Sequence, residues 1–283
     1  MRYRCSIGTL AFVGILLTAT AGARAFDQAK YPDWSGQWER IGNGSYDPNK
    51  RPARGQQPPL TAEYQAVWEA NMAEEASGGQ SYNTQVHCLP SGMPRMMTAY
   101  QPIEVIITPE ITYIHVAFFH EFRRVYTDGR DWPATGEIEP TYAGYSIGRW
   151  VDEDGDGKYD VLEVETRNLK GPRVYDGSGL PLHHDNQSVI KERIYLDHAD
   201  RNILHNDLTV IDHALTRPWS VSKKAGRDPN PRPIWRSAVC AEGNSLVRIQ
   251  NDAYFQTPNE GYLMPTYKDQ PPPDLRYFNP SRK

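Results

Sequence analysis

Between residues 101 and 239 the chain is cut into short stretches of alternating apolar and polar residues, separated by glycine, proline, asparagine and aspartate. The stretches are 103–108, 111–126, 145–150, 161–166, 188–196, 203–211 and 234–239. A two-residue period sends every second side chain to one face, so such a stretch buries an apolar face only as a strand. Seven strands in about 150 residues, with no helices between them, predict a mainly β protein: one antiparallel sheet system closed as a barrel or sandwich.

The flanks are of another texture. Arg2 and Arg4, an apolar run over 7–18 and the small-residue sequence Ala23-Arg-Ala25 form the pattern of a cleaved secretory signal, so residues 1–25 are expected to be removed and the protein to be secreted or periplasmic. The apolar run is shorter than the ~20 residues of a membrane span, and no later segment is apolar enough. Cleavage removes three of the 31 basic residues and none of the 35 acidic ones, for a net charge of −7. That balance argues against nucleic acid as a partner. Cys88 and Cys240 remain, and in an oxidising compartment an isolated pair is expected to form a disulfide, with metal ligation the alternative. Residues 26–100 read as an irregular arm, docked through Trp34 and Trp38, and one helix. Thr61 caps that helix, Tyr64, Val67, Trp68 and Met72 share a face, and Ser77-Gly-Gly79 ends it. The barrel is expected over 101–250 and a wrapping tail over 251–283.

Two sets of residues carry chemistry. In 111–126, taken as one strand, Phe118, His120, Phe122, Arg124 and Tyr126 share the face of Ile114 and Val116, and His115, Glu121 and Arg123 take the solvated face. Glu192 shares a face with Ile190, Ile194 and Leu196, and an inward carboxylate needs a cation, for which Arg124 and Arg130 are candidates. Asp128-Gly129-Arg130 reads as a tight hairpin that sets an acid beside a fixed cation. His183, His184 and Asp185 fall on a rim loop. Gly144-Tyr-Ser146-Ile-Gly148 matches a nucleophile elbow in letters but lacks the strand-to-helix context an elbow needs. The second set is the run 152–163, where Asp152, Asp154, Asp156, Lys158 (through its carbonyl), Asp160 and Glu163 hold the ligand positions of an EF-hand calcium loop around Gly157. Its flanks are strands rather than helices, which makes it a hairpin tip.

Several motifs in order resemble a widespread family of exported bacterial proteins: Pro32-Asp-Trp-Ser-Gly36, Cys88-Leu-Pro-Ser-Gly-Met-Pro-Arg95, Pro102-Ile-Glu104, Arg124-Val-Tyr-Thr-Asp-Gly-Arg130, Gly144-Tyr-Ser-Ile-Gly-Arg-Trp150, Val164-Glu-Thr166, Glu192-Arg193, Arg217-Pro-Trp219 and Cys240-Ala-Glu-Gly-Asn244. The resemblance implies a lipocalin-like barrel, with His184 matching a histidine placed before the Glu192-Arg193 strand, and implies no settled activity. The chain departs from the pattern in its long acidic run after Trp150 and in Ala241, which stands where relatives tend to carry histidine.

The function expected on these grounds is acid–base chemistry, a lyase, hydratase or isomerase step, on a small apolar or aromatic molecule inside the barrel and without an organic cofactor. His184 or His120 would move the proton, Tyr126 or Asp128 assist, and Arg124, Arg130 or Arg95 hold an oxyanion. Arg95, Glu104, Phe118 and Glu192 would contact the ligand. The alternatives are a non-catalytic carrier of a small hydrophobic ligand and a calcium-dependent interaction protein; calcium is the ion implied, with zinc at the His183-His184 loop the weaker alternative. Nothing in the sequence speaks to oligomeric state.

Overall fold

The computed structural model describes residues 26–42, 58–76, 89–98, 101–134, 136–177, 179–235, 246–249, 252–256, 263–266, 268–274 and 276. Nine strands close into a barrel in chain order: β1 (Gln37–Ile41), β2 (Ile103–Ile107), β3 (Ile111–Val116), β4 (Glu121–Tyr126), β5 (Tyr145–Val151), β6 (Val161–Arg167), β7 (Val189–Leu196), β8 (Ile203–Ile211) and β9 (Trp219–Arg227). The mainly β, lipocalin-like barrel expected from the sequence is thus what forms. Two of its staves were not foreseen: β1 comes from the arm, and β9 has too little β-branched content to announce itself. The stretch expected at 234–239 carries no strand at 234–235, and its remainder lies outside the described residues.

A ring of nine strands cannot alternate direction all the way round. One neighbouring pair has to be parallel, and that pair is β4 and β5, joined only through Val125 with Ser146 and Tyr126 with Ile147. Every other neighbour is antiparallel, and β1 closes the ring against both β2 and β9. Parallel neighbours need a connection that travels back along the sheet, so residues 127–144 cross the outside of the barrel. Asp128 and Gly129 therefore open a crossover; the tight hairpin expected there does not form.

The stretch 111–126 is two strands, not one. Phe119 and His120 turn the chain with φ of 56° and 53°, and the register pairs Val116 with Glu121, Ile114 with Arg123 and Thr112 with Val125. Cross-strand partners share a face. Even residues of β3 and odd residues of β4 consequently point inward, and the inside and outside expected for β4 are exchanged. Arg123 is 1 % exposed, while Phe122 is 55 % exposed.

The interior is packed with Trp38, Ile114, Val125, Leu162, Val164, Ile190, Ile194, Leu208 and Val221. Gly148 is required at the seam, because a Cβ there would meet Val125 Cγ1 at 2.5 Å. A polar chain runs through this apolar core. Arg123 pairs with the inward Glu192, donates through Nε to Ser146 Oγ at 3.2 Å and through Nη2 to Thr166 Oγ1 at 2.8 Å, while Asn206 Nδ2 donates to Glu192 Oε1 at 2.9 Å. Glu192 points inward as expected, but its cation is Arg123 rather than Arg124 or Arg130. Ser146, fully buried in β5 and bonded to Arg123 and Thr166, is a structural hydroxyl rather than a nucleophile.

Helix α1 (Ala62–Ala76) starts where Thr61 Oγ1 accepts the N–H of Tyr64 at 3.3 Å. It docks by its first turns: Thr61 N–H donates to Ala214 O at 2.9 Å and Tyr64 is buried, whereas Val67 and Met72 are exposed. Trp34 and Trp38 anchor the arm, at 2 % and 1 % exposure. β10 (Leu246–Ile249), in the span expected to belong to the barrel, lies outside it and forms a separate antiparallel sheet with β11 (Asp252–Gln256) and β12 (Leu263–Pro265), which fall in the expected tail.

Replacing Glu192 by Gln leaves a buried guanidinium without its counter-charge and should lower stability by about 3–5 kcal/mol, read from urea denaturation. The double change Arg123→Met with Glu192→Leu should recover most of that loss, and failure to do so would show that the network sets the barrel's shape rather than balancing charge.

Candidate functional site

Among the described residues, the interior opening is small. The space at one end, between Trp38, Met97, Ile103, Asn206, Lys223 and Ala225, has a volume of about 40 Å³, which is on the scale of a water molecule (~30 Å³) and not of an organic ligand. The larger openings lie outside. Two grooves of about 550 and 680 Å³ flank the crossover segment and share Ile138, Glu139, Tyr145 and Asn168. The first is lined by Glu121, Arg124, Tyr126 and Tyr142, the second by Trp132, Arg167, Lys170 and Asp185. Both exist because the β4/β5 seam forces a long segment over the barrel wall.

Four of the residues expected to act inside gather at this outer surface. Tyr126 and Tyr145 have ring centroids 4.9 Å apart, the Arg130 guanidinium lies 3.8 Å over Tyr126, and Arg130 Nη1 reaches Tyr145 Oη at 3.4 Å. Asp128 pairs with Arg130 at 2.6 Å, and the hydrogen bonds from Arg130 hold its carboxyl below the usual range. Arg124 lies 5.9 Å over Tyr113. Trp132 stacks under the Arg167 guanidinium at 4.5 Å.

The other expected residues are elsewhere. His120 is exposed in the β3–β4 turn, 6.1 Å from His115, whose ring stacks on Phe122 at 4.0 Å and Trp235 at 4.2 Å. His184 is held by α1, its Nδ1 3.0 Å from Tyr64 Oη and its N–H donating to the same oxygen at 3.1 Å. Glu192 is sealed in the core. Glu104 accepts from Gln37 Nε2 at 3.0 Å, and Arg95 is buried in the turn Arg95–Thr98. His184, Arg124, Asp128 and Glu192 therefore do not share one interior cavity, because the phase exchange in β4 carries Arg124 outside. The side chain of Phe118, and Cys88 and Cys240 with their expected disulfide, lie outside the described residues, as does the expected signal segment 1–25.

Glu121 lines the first groove and accepts from the N–H groups of Ser91 and, at 2.9 Å, Gly92. Burial pushes its carboxyl up, and neither those N–H groups nor nearby Arg95 offsets the effect. Near the second groove the structure assembles a cluster that sequence spacing did not show: His183 Nδ1 lies 3.0 Å from Asp185 Oδ1, and His213 Nδ1 lies 2.6 Å from Asp185 Oδ2. Partial burial pushes the Asp185 carboxyl up, but the Gln187 N–H and the two imidazoles outweigh it and hold it at about 2. His213 sits 28 positions from Asp185 and carries no local signal, so only the fold relates them.

The acidic run closes the β5–β6 hairpin as a tip, as expected. Asp152 accepts the N–H groups of Gly155 (2.8 Å) and Gly157 (2.9 Å), Asp154 that of Asp156 and Asp156 that of Lys158. Carboxylate oxygens of Asp152, Asp154 and Asp156 lie within 4.8 Å of one another. Two expected ligands are engaged elsewhere: Asp160 accepts the Glu153 N–H, and Glu163 pairs at 2.6 Å with Arg149, opposite it in register.

Compared with known proteins, the chain matches no family model and no curated protein sequence. Among the described residues no helix is long and apolar enough to cross a membrane.

Because Glu121 holds its proton to higher pH folded than unfolded, its contribution to stability is fully present below its ordinary value of 4.5 and is lost as pH rises through the raised folded value. Urea unfolding at a series of pH values above 4.5 should show this fall, and Glu121→Gln should flatten it. Identical pH profiles for both proteins would contradict the assignment.

Proposed function

We propose that the protein is a secreted or periplasmic binding protein for a small aromatic molecule, and that the ligand lies in the outer grooves over the β4/β5 seam. The carrying observation is the contrast in space: about 40 Å³ inside the barrel against about 550 and 680 Å³ in the grooves, where ligand sites typically have ~300–1,000 Å³. Tyr126, Tyr142, Tyr145 and Trp132 supply flat apolar faces, and Arg124, Arg167 and Lys170 supply cations for a carboxylate or phenolate on the ligand. The interior acid–base site expected from the sequence is not the supported reading, since of its two candidate proton carriers His184 is bound to Tyr64 and His120 is exposed in the β3–β4 turn, while Glu192, expected to contact the ligand, is paired with Arg123.

Titration with a panel of phenols and aromatic carboxylates, followed by tryptophan fluorescence, tests this. Trp132→Ala and Tyr145→Ala should each weaken binding about tenfold, as expected for loss of ~1–1.5 kcal/mol of ring contact. Ligand bound with unchanged affinity by both variants would move the site away from the grooves.

A second reading belongs to the hairpin tip 152–160, favoured by its three convergent carboxylates: weak calcium binding that stiffens the tip. At a dissociation constant of ~10⁻⁴ M, calcium at ~1 mM would add ~1.4 kcal/mol to stability. Thermal melting should rise accordingly in the native chain and not in Asp154→Asn; an unchanged melt at millimolar calcium removes this reading.

A further inference from the structure

His183 and Asp185 lie in the segment that enters β7, and His213 lies in the turn from β8 to β9. One buried carboxylate ties these two segments together. Asp212 Oδ1 accepts the N–H groups of His183 at 2.9 Å and Ala214 at 2.8 Å; its Oδ2 accepts from Ser188 Oγ, with Arg173 Nη2 at 4.0 Å. The side chains of Asp212 and Arg173 are 0 % and 1 % exposed. The backbone on both sides of the cluster is therefore set by the core, which is the support a preorganised site requires.

We propose that His183, Asp185 and His213 form a binding site for a zinc-like divalent transition-metal ion. One donor atom from each residue falls within a set whose members all lie within 4.8 Å of one another. Two imidazoles and one carboxylate are the donor set of an open zinc site, in which three protein ligands leave a fourth position for water or a ligand atom. Hard cations such as calcium take six to eight oxygens and are not served by it. Zinc–nitrogen and zinc–oxygen bonds of ~2.0–2.2 Å set neighbouring donors ~3.3 Å apart. The contact of 3.0 Å from Asp185 to His183 needs to open by ~0.3 Å and that of 2.6 Å to His213 by ~0.7 Å. The His213 side chain is 67 % exposed and can make that adjustment without disturbing the barrel.

Asp185 also lines the groove of about 680 Å³, so the ion would sit at the groove's edge, within reach of a ligand oxygen. The site does not rest on the groove-binding reading, because the ion is held by protein atoms alone.

The test is calorimetric titration of the full, untagged chain with zinc chloride, with cobalt(II) absorption as an independent report of imidazole coordination. The wild type should take up one equivalent tightly. Asp185→Asn, which keeps the shape of the side chain, and His213→Ala, which removes an exposed ring, should each weaken that equivalent at least tenfold in protein whose circular dichroism remains that of the folded wild type. Asp154→Asn in the acidic hairpin tip should leave zinc affinity as it was. Absence of binding by the wild type, equal affinity in the Asp185 and His213 variants, or loss of binding in Asp154→Asn would each overturn the proposal.

Discussion

The parity of the ring governs this protein. Eight staves can alternate up and down without conflict, but nine cannot, and the single parallel seam between β4 and β5 is the consequence. A parallel seam demands a return path, and residues 127–144 provide it on the outer wall. The grooves on either side of that path, and the meeting of Tyr126, Arg130 and Tyr145, follow from the same requirement. Only two residue pairs join the seam, so Val125 packed against Gly148 and the polar chain through Arg123 take over much of the work of holding it shut.

That polar chain also decides what the inside of the barrel is for. A buried guanidinium is tolerated where its charge is paired: Glu192 pairs it from β7, and Ser146 and Thr166 accept from its Nε and Nη2 from β5 and β6, while Nη1 is buried without a hydrogen bond. Side chains that satisfy one another across the barrel fill it. The interior thus acts as a core, and the larger grooves open at the rim and the outer wall. There the half-buried aromatic and exposed basic residues of the crossover and the His183, Asp185 and His213 cluster are found.

Much of the sheet was legible because a two-residue period survives in single segments. The stretch 203–211 coincides with β8, the acidic run 152–160 forms the hairpin tip, and Thr61 caps α1. What failed was phase and partnership. The positive φ angles at Phe119 and His120 carry no glycine to mark them, so one strand was read where there are two, and Arg123 and Arg124 exchanged places. β9 contains Lys223, Lys224 and Gly226, and its inward Lys223 hides the alternation that burial normally reveals.

By itself the sequence determined the class of fold, the inward carboxylate at Glu192, the capped helix and the acidic turn, because each depends on residues within one segment. Only the tertiary structure decided which arginine meets Glu192, that the ring has nine staves with one parallel seam, and that His213 joins His183 and Asp185. Those outcomes depend on register and closure, where a shift of one residue reverses a face, and no local pattern in the chain records that choice.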